Sequence, residues 1–144
     1  MIDVVYFSNV TGNTAKFVSK LDLQGGRKYR IPIKGDFEFC LLDPFVLITP
    51  TYGDPHKRGM VPHQVKKFLQ DHENCRTLSG VIAGGNMNFG KEYGMAGDII
   101  AHRFHTPLLY KFELAGTDQD VERVSEGLKK FGARTNYETL QPQI

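Results

Sequence analysis

The sequence predicts an α/β fold: a doubly wound parallel sheet with helices on both of its faces. Three observations carry that expectation. Short apolar runs alternate with helical patterns along the chain. The first and central runs are apolar almost throughout, as strands covered on both faces tend to be. The loops behind the first, third and fourth strong or weak strands are rich in glycine, hydroxyl and amide side chains, and in such a sheet ligands bind at the carboxyl ends of the strands, where the winding reverses. At 144 residues a single core suffices, able to bury roughly 70% of the surface that the unfolded chain exposes.

The first strand is Ile2 to Phe7. Behind it the turn VTGNT, Val10 to Thr14, leads into a helix over Thr14 to Leu21 that sets Phe17, Val18 and Leu21 on one face. A weaker strand, Tyr29 to Ile31, is cut short by Pro32 and belongs at an edge, because proline cannot donate to a ladder. Only Lys34 to Pro44 separate it from the third strand, Phe45 to Thr49. That is near the lower limit for a parallel crossover, so the helix between strands two and three is reduced or missing. The next helix starts at Pro62, a residue suited to a first helical turn, and carries Val65, Phe68 and Leu69 until the polar Asp71-His72-Glu73-Asn74. A fourth strand, Gly80 to Ala83, precedes a helix from Tyr93 to Phe104 with Met95, Ile99 and Ile100 at helical spacing. The last strand alternates Leu108, Tyr110, Phe112 and Leu114 against Leu109, Lys111 and Glu113, the pattern of a half-exposed edge. Thr117 caps the final helix, Asp118 and Asp120 suit the positive end of its dipole, and Val121, Val124, Leu128 and Phe131 form its stripe before Gly132 stops it. Residues 1–132 therefore make the domain, and the polar tail from Ala133 to Ile144 is expected to be mobile.

Composition narrows the function. The chain is 40% hydrophobic and 24% charged with a formal charge of +2, well short of the basic excess of a nucleic-acid binder. Its apolar stretches fall far below the roughly 20 residues needed to span a bilayer, and Asp3 spoils a secretory signal, so a cytoplasmic protein with no membrane partner is expected. Cys40 and Cys75 form neither a CxxC pair nor a metal cluster with the five histidines, and both are expected to be buried or incidental thiols. No metal site is expected. A phosphatase reading of Cys75 fails because Val81 stands where its phosphate loop needs arginine.

Three loops remain. In the first, Ser8, Asn9, Thr11, Asn13 and Thr14 surround Gly12, whose missing side chain lets backbone N–H groups close on an anion at a helix N-terminus. No lysine or arginine lies in it, and it contains neither GxxxxGK nor GxGxxG, which argues against the nucleotide-binding turns with those signatures here. A plain N-cap turn explains this stretch alone equally well. The second loop, Thr51 to Gly59, holds Tyr52 and the basic cluster His56-Lys57-Arg58. The third, Gly84-Gly85-Asn86-Met87-Asn88-Phe89-Gly90, offers glycines for close approach, amides and an aromatic, a set suited to a flat heteroaromatic ring edged by polar atoms. Meeting at one end of a sheet, the loops point to a phosphate at the first and a planar ring between the other two.

The stretches YFSNVTGNT, ITPTYG, GVIAGGNMNFGKEYGMAGDIIA and PLLYKFELAGTDQDV resemble the NrdI family of flavodoxin-like proteins, nearly to Phe131, with GNMNFG and KFELAGT the most specific parts. The resemblance implies a five-stranded parallel sheet in the flavodoxin-like order 2-1-3-4-5, FMN as cofactor, and the small, manganese-binding subunit of class Ib ribonucleotide reductase as partner. It further implies that the reduced flavin, supplied with electrons by a reductase, reacts with dioxygen to give superoxide, which oxidises the partner's manganese pair to the active dimanganese-tyrosyl radical form. Carried over by position, Ser8, Asn9, Thr11, Gly12, Asn13 and Thr14 would cradle the FMN phosphate. Thr51, Tyr52 and Gly53 would line one side of the flavin, and Gly85, Asn86, Asn88, Phe89 and Gly90 the other, with no catalytic side chain because the flavin carries the chemistry. Asn9 departs from the Ser or Thr usual at its place in ordinary flavodoxins.

Charge bears on which chemistry follows. Around the inferred ring His56, Lys57, Arg58 and Lys91 face Asp54 and Glu92, without the acidic dominance that a general flavodoxin-type electron shuttle would want. That balance favours an anionic reduced flavin. A phospho-receiver of similar topology needs aspartates at the carboxyl ends of strands, whereas Asp3 and Asp43 fall at strand beginnings.

Overall fold

The computed structural model describes residues 2–53 and 59–140, the last seven of them as backbone. Five parallel strands, β1 (Asp3–Phe7), β2 (Lys28–Ile31), β3 (Phe45–Pro50), β4 (Leu78–Gly85) and β5 (Leu108–Glu113), lie in the order β2-β1-β3-β4-β5. This is the expected sheet, with the short β2 and the half-exposed β5 at its edges. The helices are α1 (Asn13–Lys20), α2 (His63–Gln70), α3 (His72–Cys75), α4 (Met95–Phe104) and α5 (Asp118–Leu140).

Period-two alternation along the strands divides the core. Val5, Phe7, Leu47 and Val81 pack on one face against Val65, Phe68 and Leu69 of α2 and Ala96 and Ile100 of α4. Val4, Val46, Ile48 and Ile82 pack on the other against Phe17 and Val18 of α1 and Val124 and Leu128 of α5. Both faces are covered, so the central strands read as unbroken apolar runs. Fully burying each such side chain stabilises the fold by about 1.5–3 kcal/mol relative to leaving it exposed. Phe17 stacks on Phe112 with ring centroids 3.9 Å apart, which ties α1 to β5.

No helix joins β2 to β3. An irregular crossover takes its place and supplies rings: Phe39 tilts on Tyr29 at 5.0 Å, and Phe37 meets Phe68 edge-on at 4.9 Å.

Several boundaries depart from the sequence reading. Pro62 caps α2 instead of entering it, and its carbonyl accepts from the N–H groups of Val65 and Lys66. The polar stretch after α2 ends that helix but forms the single turn α3, because the Asp71 carboxylate accepts from the Glu73 N–H at 2.9 Å. The fourth strand runs from Leu78 through Gly84 and Gly85, and the fourth helix starts after Gly94, which is left-handed at φ 65°. Leu114 leaves the last strand with φ 54°. Gly132 does not stop the final helix, which continues to Leu140. A glycine costs a helix about 1 kcal/mol relative to alanine, too little to end one that is otherwise sustained. The expected tail thus begins inside α5, and residues 141–144 lie outside the described part. Of the two thiols expected to be buried or incidental, Cys40 is exposed, and burial pushes the half-buried Cys75 thiol up. No helix among the described residues is long and apolar enough to cross a membrane.

Candidate functional site

The loops after β1, β3 and β4 come together at the carboxyl end of the sheet. The first is built almost wholly from its own atoms. Ser8 is fully enclosed, and its hydroxyl accepts from the Ala15 N–H at 3.0 Å, bracing the start of α1. The Asn9 side-chain oxygen accepts from the N–H and the hydroxyl of Thr11, and the Asn9 carbonyl accepts from the Gly12 N–H. Asn9 therefore folds the turn itself, a role its amide can fill in place of the usual hydroxyl. Gly12 sits at φ 75° with nothing within 4 Å of where a Cβ would be. Its left-handed backbone calls for glycine; crowding does not. Among the described residues, no acceptor takes the N–H of Asn13 or Thr14, in the helical turn whose N–H groups lack intrahelical partners.

No cation lies within the turn, but one stands behind it. Arg30 of β2, the register partner of Tyr6, donates to the Ser8 carbonyl at 3.2 Å with its guanidinium 5.9 Å from the Tyr6 ring centroid. Sequence reasoning missed this residue because the cation comes from the neighbouring strand.

In the second loop the Thr51 N–H donates to the Gly84 carbonyl, and the Thr51 hydroxyl accepts from the Ala96 N–H at 3.2 Å, so Thr51 joins β4 to the first turn of α4. Tyr52 packs on the core below α2 and α4. A Cβ on Gly53 would lie 2.8 Å from the nearest carbon of the Phe89 ring, so the second and third loops meet there. The His56-Lys57-Arg58 cluster lies outside the described residues.

The third loop is a 3-10 turn, Met87–Glu92, broken at Gly90 with φ 59° and ψ −118°. Asn86 starts it by accepting from the Asn88 N–H at 2.9 Å. Residues of β5 hold its ends. The Met87 N–H donates to the Glu113 carboxylate at 2.9 Å, and the Lys111 ammonium donates to the Tyr93 carbonyl at 3.0 Å and to the Asp98 carboxylate at 2.6 Å.

These loops enclose a crevice of about 130 Å³ lined by Asn9, Thr11, Asn13 and Thr14, by Pro50, Thr51 and Tyr52, by Gly84, Gly85 and Asn86, and by Leu114. Of the expected site residues, Ser8, Gly12, Gly53, Asn88, Phe89 and Gly90 stand outside this lining, the first two as the frame of the turn and the others where the second and third loops touch. Gly84 was read as part of the third loop though not carried over as a flavin contact, and Pro50 and Leu114 were not anticipated. Two larger cavities, about 440 and 450 Å³, lie beside α2. They include none of the expected residues, so size is no guide to the site here.

Among the described residues, the crevice lining carries no charged side chain. Burial pushes the nearby Tyr93 hydroxyl up, with the carboxylates of Asp120 and Glu113 acting in the same direction. The residues present fit FMN at the phosphate end, where Asn13 and Thr14, with no acceptor for their N–H groups among the described residues, line the crevice beside Thr11 at the start of α1. At the ring end Thr51, Tyr52, Gly85 and Asn86 line the same crevice, the aromatic, glycine and amide groups that a flat heteroaromatic ring calls for.

Comparison with known proteins agrees with this fold. A family model described as NrdI flavodoxin-like matches residues 5–126. The chain is 52% identical over 132 residues to Protein NrdI of Beutenbergia cavernae, covering 91% of this chain and 94% of that one. It is 47% identical over 131 residues to Protein NrdI of Rhizobium leguminosarum bv. trifolii, covering 91% and 96%. Among solved structures, a short-chain flavodoxin associated with a bacterial microcompartment superposes with a TM-score of 0.64 at 20% identity, over 91% of this chain and 97% of that one; at that identity the likeness speaks for the fold. With the family model spanning most of the domain and relatives near half identity along almost their full length, the chain belongs to the NrdI flavodoxin-like family.

Proposed function

We propose that this chain binds FMN and, once reduced by a partner reductase, delivers one electron to dioxygen. The superoxide so formed serves assembly of the dimanganese-tyrosyl radical centre in the small subunit of a class Ib ribonucleotide reductase, in the cytoplasm. The observation that carries the reading is that Asn13 and Thr14, whose N–H groups have no acceptor among the described residues, line one crevice with Gly85 and Asn86. Family membership supports a flavin there.

FMN, when bound, supplies the one-electron chemistry; the chain's own residues decide where it sits and which charge state persists. The N–H groups of Asn13 and Thr14, with the Thr11 hydroxyl, would hold the phosphate by dipoles and hydrogen bonds. Arg30 adds positive charge from behind the turn. Tyr52 would flank the ring from the second loop, and Gly85 and Asn86 from the third. Among the described residues the crevice lining itself carries no carboxylate to oppose negative charge on a reduced ring.

The test uses the purified chain. Titration with FMN should quench flavin fluorescence to a one-to-one endpoint, and no quenching sinks the flavin reading. The FMN-loaded, chemically reduced chain is then mixed with a manganese-loaded class Ib small subunit and oxygen. A tyrosyl radical signal by electron paramagnetic resonance is the expected result. A flavin-loaded chain that yields none would be left as an electron shuttle.

A further inference from the structure

We infer that Lys111 and Glu113 of β5 are positioning residues for the flavin-facing third loop, and that their opposite charges set opposite biases on its redox state. This rests on the flavin reading above.

An edge strand with a Lys-x-Glu pattern is ordinarily read as solvated, and in this fold it is not. β5 pairs with β4 so that Lys111 stands beside Ala83 and Glu113 beside Gly85, where β4 gives way to the loop. From there the two side chains reach opposite ends of that loop. Glu113 accepts from the Met87 N–H, a contact spanning 26 positions in sequence. Lys111 donates to the Tyr93 carbonyl, 18 positions away, and to Asp98 in the first turn of α4. The lysine stem runs across Gly94: a Cβ there would lie 2.6 Å from the Lys111 Cδ, so the left-handed glycine at the loop's exit also makes room for the brace.

Between these anchors, among the described residues, the loop has only its own hydrogen bonds, from the Asn88 N–H to the Asn86 side chain, from the Phe89 N–H to the Asn86 carbonyl and from the Tyr93 N–H to the Gly90 carbonyl. The wall of the crevice at Gly85 and Asn86 is therefore pinned from β5. The anchors also bring charge. A carboxylate at the base of the loop disfavours an added electron nearby, and an ammonium favours it. Glu113 additionally occupies the Met87 N–H, which is thereby withheld from any ligand.

The experiment measures FMN affinity by fluorescence quenching and flavin midpoint potentials by spectroelectrochemistry. It compares the wild-type chain with Glu113→Gln, Glu113→Ala and Lys111→Met, after far-ultraviolet circular dichroism has shown each variant folded. Glu113→Ala should weaken FMN binding roughly tenfold, the loss of one hydrogen bond to a charged group. Glu113→Gln, which keeps an acceptor for the Met87 N–H, should restore most of that affinity. Both Glu113 variants should raise the midpoint for forming the fully reduced flavin, and Lys111→Met should lower it. A purely structural brace would not give shifts of opposite sign. Wild-type affinity in Glu113→Ala, or shifts of the same sign in the Glu113 and Lys111 variants, overturns the inference while leaving the flavin reading in place. A wild-type chain that binds no FMN overturns both, and is recognised before any variant is compared.

Discussion

The first and third loops of the site are built in contrasting ways. Apart from the Arg30 guanidinium on the Ser8 carbonyl, the bonds that hold the turn from Ser8 to Thr14 among the described residues span at most seven positions, and the turn's own side chains are amides and hydroxyls. The loop from Asn86 to Gly94 is held at both ends by charged side chains from a distant strand. A phosphate is small and symmetrical, and a helix start with one left-handed glycine suffices to receive it. A ring must be gripped along its length, and the remote braces keep the wall on that side in place.

The widest separation between the two loops should come from Gly12→Val. The new side chain meets no neighbour, yet a β-branched residue is strained at this left-handed backbone. Relief of that strain would turn the Asn13 and Thr14 N–H groups away. FMN affinity should fall by about a hundredfold or more, as expected for losing two charge-assisted bonds, while the melting curve of the FMN-free protein moves little. Retained flavin in this variant would mean that the turn is only a helix cap.

Ser8→Ala should act on the same loop through stability. It strands the Ala15 N–H at the start of α1 and should cost about 1–2 kcal/mol in chemical denaturation. A neutral result would show that water replaces the hydroxyl, and that the turn depends less on its own bonds than the contrast requires.

The smallest effect concerns acid, and falls on the β5 side. Burial tends to raise the Asp120 carboxyl, but the N–H of Thr117 and the hydroxyls of Tyr110 and Thr117 outweigh it and hold the carboxyl below its usual range. A depressed folded value means that this contribution to stability is complete above the unfolded carboxyl's pKa, near 4, and is lost as pH falls through the lower folded value. Asp120→Asn should therefore lie below wild type at pH 7, with the gap closing below about pH 4. A gap unchanged by pH would remove this carboxylate as a cause of acid sensitivity.

The same contrast explains what could be read before any coordinates. Val4, Val5 and the run from Phe45 to Ile48 announced buried strands because both of their faces are covered. VTGNT announced a helix start because its turn is local. Gly84 and Gly85 were placed in a loop because glycine punctuates sequence. They stay in β4 because the Phe112 ring and the Gly94 backbone occupy the space that their side chains would need. Lys111, Glu113 and Arg30 looked like surface charges, and only strand register shows which backbone groups they reach. Leu114 entered the site because the strand ends one residue before it.

The crossover without a helix has a dynamic consequence. β2 bonds to one neighbour only, and beside it the sheet is sealed by the rings of Phe37 and Phe39, the latter 54% exposed, on an irregular segment. Few buried contacts have to be undone to release that corner. In native-state hydrogen exchange, the amides of β2 should become accessible through a local opening well below the free energy of global unfolding, while those of β1 and β3 exchange only when the whole sheet comes apart.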